Sequence, residues 1–294
     1  MQVVNAAIAA APARAADFVE LTKPRITFLV LVTTAVGYAL GVGNAFHPGV
    51  FLSLLVGTAL VSGGASALNQ WAERDTDALM ARTASRPLPS GRLTPSDALA
   101  FGLSISVVGL ALLGGAVNGL TALLAAVTLA TYVLAYTPLK RVTSLCTLVG
   151  AVPGAIPPMM GWAAARGTLS REAWALFAVL FLWQLPHFLS IAWIYREDYA
   201  RAGFPMLPVT DPGGESTARQ TVAYAAALVP ATLIAGAFAA AGERYLWSAL
   251  VLGAVFVACT VAFALKRSVR AARLVFLVSV LYLPAVLGLM VLDR

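Results

Sequence analysis

The sequence predicts an all-α, polytopic membrane protein, with nine transmembrane helices around a central cavity that opens to the cytoplasm. Three observations predict the helical membrane class; the cavity is what its two long polar loops imply. Of the 294 residues, 60% are hydrophobic and only 11% charged, whereas a soluble domain carries about 25% charged residues. The mean hydropathy is +0.84. The apolar residues also fall in stretches of about 17–25, long enough to cross a hydrocarbon core as helices. The alternating segments of about ten residues that a membrane β-barrel requires are not seen.

The first stretch, 26–43, starts behind Lys23 and Arg25; the second, 51–68, follows the short connection GVGNAFHPGV and ends at a long polar segment. Stretches 98–117 and 120–136 are separated only around Asn118-Gly119, and the latter runs out at Lys140 and Arg141. Stretch 145–165 stops before Arg166 and Arg171, and 173–194 leads into a second polar segment holding Arg196, Arg201 and Arg219. The last three, 221–241, 245–265 and 274–292, are bounded by Arg244, by Lys266, Arg267, Arg270 and Arg273, and by Arg294. Several contain Pro or Gly, which membrane helices tolerate where neighbours satisfy the freed backbone groups.

One set of helix ends holds 16 of the 20 basic residues. The positive-inside bias therefore predicts a cytoplasmic N-terminus and, after nine crossings, a C-terminus outside. The net charge of +7 reflects this topology; no basic stretch with interleaved aromatics argues for nucleic acid. The chain reads as one membrane domain, 1–294, with a cytoplasmic lead-in at 1–24 and two long cytoplasmic loops, 69–97 and 195–220. The lead-in has neither the charged start and apolar core of an export signal nor the Arg- and Ser-rich composition of a transit peptide, which predicts a bacterial inner membrane. Cys146 and Cys259, both inside apolar stretches, read as packing residues.

The first loop opens NQWAERDTDALMARTASRPLPSG, from Asn69 to Gly91. If the second helix continues past the membrane edge, Asn69, Glu73 and Asp77 fall at i, i+4 and i+8 and share a face. An amide oxygen with two carboxylates is a hard-oxygen set suited to Mg²⁺, which completes its octahedron with water and phosphate oxygens. Arg82 and Arg86 could present forked donors to the same phosphates. The plainer alternative is a loop whose acids and arginines pair with each other; such surface pairs contribute only about 0–1 kcal/mol.

The second loop begins within QLPHFLSIAWIYREDYARAGFPMLP, residues 184–208. Glu197 and Asp198 are candidate ligands for a second metal ion, and Arg196 is a candidate phosphate contact. Tyr195 and Tyr199, with Trp71 of the first loop, offer aromatic faces. His187 lies eleven residues before Asp198, roughly 16 Å deeper if the helix is unbroken. An ionisable residue at that depth is a functional candidate; the plainer alternative is a packed, hydrogen-bonded histidine. Lys23 and Lys140, in LTKPRIT and YTPLKR, are either phosphate contacts or ordinary positive-inside anchors. The two loops, four crossings apart, suggest parallel repeats that face each other across one cavity.

Taken together, these segments resemble the UbiA superfamily of intramembrane prenyltransferases over nearly the whole chain, and within it the branch whose acceptor is haem. The superfamily motif Asn-x3-Asp-x3-Asp stands here as Asn69-x3-Glu73-x3-Asp77, with one acid exchanged. The second motif departs further: His187, Tyr195 and Tyr199, with Glu197 and Asp198 between the tyrosines, stand where relatives with soluble aromatic acceptors have spaced aspartates. The resemblance implies transfer of farnesyl from farnesyl diphosphate to a vinyl group of haem B, giving haem O and diphosphate. It implies Asn69, Glu73, Asp77 and Asp198 as catalytic residues, one or two Mg²⁺ ions, and Lys23, Arg82, Arg86, Lys140 and Arg196 around the diphosphate. His187, Trp71, Tyr195 and Tyr199 are left for the haem or the prenyl chain. A haem A synthase or haem–copper oxidase assembly factors are the protein partners it points to. Another aromatic or tetrapyrrole acceptor is the nearest alternative. A cation-coupled transporter is the alternative of a different class, although transporter acids tend to lie near the bilayer midplane.

Overall fold

A computed structural model describes residues 14–43 and 45–294, all of it helix and connecting turns with no strand among the described residues. A short helix α1 (Ala15–Leu21) precedes α2 (Pro24–Val42), α3 (Pro48–Asp77) and α4 (Pro95–Ala116). Each of the last three begins with proline in its first turn, where the missing N–H has no helical partner to lose. Next come α5 (Gly119–Ala130), a π-helical turn Thr131–Tyr136 and a single turn α6 (Thr137–Leu139), which together make one crossing. After α7 (Cys146–Arg166) and α8 (Arg171–Ile194), two short helices α9 (Arg196–Arg201) and α10 (Leu207–Thr210) lead to α11 (Glu215–Phe238), α12 (Glu243–Lys266) and α13 (Val269–Leu292).

Nine helices among the described residues are long and apolar enough to cross a bilayer, and they coincide with the nine apolar stretches of the sequence. Side-chain caps fix several starts: Thr94 Oγ1 accepts from the Asp97 N–H, Asn118 Oδ1 from Thr121, and Ser268 Oγ from Ala271. Each supplies an acceptor to a backbone N–H that the helix leaves unpaired. Phe28, Leu52, Val107, Leu265 and Leu281 point outward and are more than half exposed, as expected where the surroundings are acyl chains rather than water.

Two helix pairs approach closely because small residues line the contact. A methyl group at Gly37 of α2 would lie 2.7 Å from the carbonyl carbon of Pro158 in α7, and one at Gly161 would lie 3.0 Å from that of Gly37. Between α3 and α4, a Cβ at Gly64 would meet the Gly102 carbonyl oxygen at 2.8 Å, and one at Gly109 the Gly57 oxygen at 2.9 Å. Inside a bilayer, where burial against a neighbour gains little over lipid, such backbone contact drives association.

Both long loops are more ordered than the sequence reading. Helix α3 runs 30 residues, about 45 Å, so the segment predicted as loop from residue 69 is helical through Asp77. The second loop contains α9 and α10 and ends where α11 begins at Glu215. The helix carrying His187 breaks at Tyr195 (φ −108°, ψ 23°) before α9 starts, so His187 and Asp198 are not on one continuous helix.

Candidate active site

The site is built on the last turns of α3. Asn69, Glu73 and Asp77 are 2%, 2% and 1% exposed, the shared inward face that their four-residue spacing dictates. Asp75, between them, is exposed and faces Arg74 at 3.8 Å. Across from this face stands the segment after α5. Lys140 Nζ donates to both Glu73 oxygens, at 2.8 and 2.9 Å. Arg86, brought back by the turns after α3, donates to Asp77 Oδ2 at 2.7 Å. The other oxygen, Asp77 Oδ1, is buried and has no hydrogen-bond partner among the described residues. A buried anionic acceptor left unmatched is costly, so this atom marks a place for a cation or a donor.

Asn69 joins the cluster to two further elements. Its Oδ1 accepts from Lys23 Nζ at 3.3 Å, and its Nδ2 donates to Thr137 Oγ1 at 3.1 Å. Lys23 sits at the start of α2 with left-handed backbone (φ 48°). Burial, with the like charges of Arg86 and Lys140 nearby, lowers its ammonium pKa to about 7. Burial also works against the Lys140 ammonium, but the Glu73 carboxylate together with the Tyr199 and Tyr132 phenols holds it above the ordinary lysine range.

Arg82 makes no ion pair within 4 Å among the described residues. Its guanidinium lies over the rings of Tyr195 and Tyr199, at 5.4 and 4.8 Å from the centroids. Residues from the two polar loops therefore meet. Lys140 Nζ lies over Tyr136 at 5.2 Å and Phe204 at 5.4 Å, so an aromatic wall borders the cations.

The remaining candidates have other surroundings. Asp198 is ion-paired with Arg201, and Glu197 is exposed. No group of three or more His, Cys, Asp or Glu side chains converges to hold a metal among the described residues; the α3 set comprises two carboxylates and an amide. Arg196 lies 4.7 Å over the Trp193 ring. Trp71 packs with Phe18 and Phe101 around Leu21, under α1. His187 is held in the α8–α13 packing. Its Nδ1 is 2.7 Å from Ser279 Oγ, and its ring stacks near those of Trp183 and Phe276. Because the Ser279 hydroxyl donates to the Phe276 carbonyl, the imidazole is the donor in that pair.

Two features escape the sequence reading, Thr137 and the π-helical turn. Pro138 is the signal for the latter. Proline supplies no N–H and its ring clashes with the carbonyl four residues back, and the preceding turn widens so that the Thr137 N–H bonds Tyr132 O, five residues back.

This fold and cluster define an intramembrane helical bundle with a cation-rich, acid-lined site at one end. The UbiA prenyltransferase family model matches residues 30–283, and the chain belongs to that family. The protoheme IX farnesyltransferase of Solibacter usitatus (strain Ellin6076) is 52% identical, over 95% of this chain and 98% of its own. That of Koribacter versatilis (strain Ellin345) is 46% identical, over 95% and 93%, and that of Myxococcus xanthus (strain DK1622) 44%, over 99% of both. Among solved structures, a digeranylgeranylglyceryl phosphate synthase superposes with a TM-score of 0.80 at 15% identity, covering 95% of this chain and 97% of its own. A UbiA homolog from Archaeoglobus fulgidus bound to GPP and Mg²⁺ gives 0.64 at 16%, covering 93% and 99%. These two likenesses bear on the fold.

Proposed function

We propose that the chain transfers the farnesyl group of farnesyl diphosphate to a vinyl group of haem B, giving haem O and diphosphate. Full-length similarity at 40–52% identity to proteins named protoheme IX farnesyltransferase supports the donor and the acceptor. The observation that carries the chemistry is the buried Asn69–Glu73–Asp77 face with its unpartnered Asp77 Oδ1, ringed by Lys23, Lys140, Arg86 and Arg82.

The donor set fits a hard divalent cation, which keeps several water and phosphate ligands when only one or two carboxylates hold it. Asn69, Glu73 and Asp77 would hold Mg²⁺, which when bound would offset charge on the departing diphosphate. Glu197 and Asp198, on α9, are the candidates for a second ion. Lys140 and Arg86 hold the carboxylates here and can turn to phosphate oxygens as substrate arrives; Arg82 has no carboxylate to release among the described residues. Together they favour the charge that builds up on the leaving group. The C1–O bond of farnesyl breaks with its electron pair leaving on diphosphate. The vinyl π pair attacks C1, and water adds to the porphyrin-side cation and loses a proton. The faces of Tyr136, Tyr195 and Tyr199 favour the cation-like allylic carbon by roughly 0.5–2 kcal/mol each. The apolar helices hold prenyl chain and porphyrin, while the diphosphate stays at the polar rim.

The rim carries most of the basic residues, and on the positive-inside bias it faces the cytoplasm of a bacterial inner membrane, with the N-terminus on the same side. Incubation with labelled farnesyl diphosphate and an acceptor panel tests the reading. Label entering haem B but not 4-hydroxybenzoate is expected, and the reverse would overturn the haem assignment.

A further inference from the structure

Asn69 contributes an oxygen to the cluster only if its side-chain amide is turned one way, because the opposite turn would present an NH₂ group to Lys23 and to any bound cation. Nothing in the Asn69–Glu73–Asp77 spacing decides between the two. The decision comes from outside α3. The Thr137 hydroxyl donates to the Tyr132 carbonyl at 2.8 Å, and that same carbonyl takes the Thr137 N–H across the π-helical turn. With its proton committed there, Thr137 Oγ1 is left as an acceptor, and it is 3.1 Å from Asn69 Nδ2. Thr137 is 4% and Asn69 2% exposed, so water offers no competing partner. An acceptor facing the amide selects nitrogen on that side and turns Oδ1 toward Lys23, on the side of the carboxylates.

We propose that Thr137 is a positioning residue whose hydroxyl, fixed by the π-helical turn, sets the Asn69 amide with its oxygen toward the cation site. This rests on the reading of Asn69, Glu73 and Asp77 as divalent-ion ligands. Partners that orient a metal ligand from behind commonly contribute about 10–100-fold to metal affinity.

The test is Mn²⁺ binding to the purified full-length protein, followed by loss of the free-ion electron paramagnetic resonance signal, with no diphosphate present. Thr137→Val keeps the β-branched shape and removes the hydroxyl; it is expected to weaken Mn²⁺ binding by about 10–100-fold, and Thr137→Ser to restore it. Asn69→Asp supplies the internal control. A carboxylate has two equivalent oxygens and no wrong turn, so Thr137→Val in the Asn69→Asp background should cost nothing further, whereas damage to the π-helical turn would persist there. Wild-type Mn²⁺ affinity in Thr137→Val, with Asn69→Ala weakened, overturns the proposal while sparing the ligand reading. Unchanged affinity in Asn69→Ala overturns the ligand reading itself. An equal loss on Thr137→Val in both backgrounds makes Thr137 merely structural and also overturns the proposal.

Discussion

Replacing Lys140 by methionine isolates the pair that joins α3 to the turn after the fourth crossing. Glu73 is 2% exposed, and the Lys140 ammonium bonds both of its oxygens. The Glu73 and Lys140 side chains are only 3% and 12% exposed, so water screens the pair little. Methionine keeps an unbranched, flexible stem one atom shorter and removes the charge, which strands a buried carboxylate. Breaking one side of a buried pair costs about 3–5 kcal/mol, roughly two to four orders of magnitude in the folding equilibrium. The lower figure is the better expectation, because a stranded carboxyl can neutralise itself by taking a proton. Adding Glu73→Gln to Lys140→Met should recover most of the loss, since no unpaired charge then remains. Reversible unfolding in mixed detergent micelles, with the metal chelated, measures all three variants. A Lys140→Met protein as stable as wild type, or a double variant no better than the single, would refute the reasoning.

Two further predictions follow from the same geometry. Arg82→Gln removes a cation that makes no ion pair among the described residues; it should raise the KM for farnesyl diphosphate roughly 10- to 100-fold, the value of a charge-assisted hydrogen bond, while thermal unfolding barely moves. Gly37→Ala should destabilise the α2–α7 contact by about 1–3 kcal/mol as overpacking, whereas Gly49→Ala, whose added methyl meets nothing within 4 Å among the described residues, should leave the unfolding midpoint near wild type.

The nine crossings are legible in the sequence because bilayer thickness imposes a length on each apolar stretch, and the four-residue spacing of Asn69, Glu73 and Asp77 is enough to place them on one helix face. What stays hidden depends on how separate helices meet. Lys140 and Glu73 are 67 residues apart, Asn69 and Thr137 68 apart, and His187 and Ser279 92 apart. Periodicity within one helix carries no information about such partners. His187 shows the limit well: its depth is readable, while its role as donor in the α8–α13 packing needs the other helix. The reach of α3 beyond residue 68 is conditional in the sequence, because hydropathy falls at Asn69 while helical backbone continues to Asp77. Only the π-helical turn leaves a local sign, Pro138 beside Thr137, and proline in a membrane helix has too many outcomes to announce that one.

The central claim, that the buried α3 face drives prenyl transfer to haem, is tested most directly by incubating membranes with radiolabelled farnesyl diphosphate, haem B and Mg²⁺, comparing wild type with Asp77→Ala at matched protein levels. The account predicts label in a porphyrin product for wild type, abolished by chelating the metal, and none above background for Asp77→Ala. Equal labelling by a folded Asp77→Ala protein would contradict it.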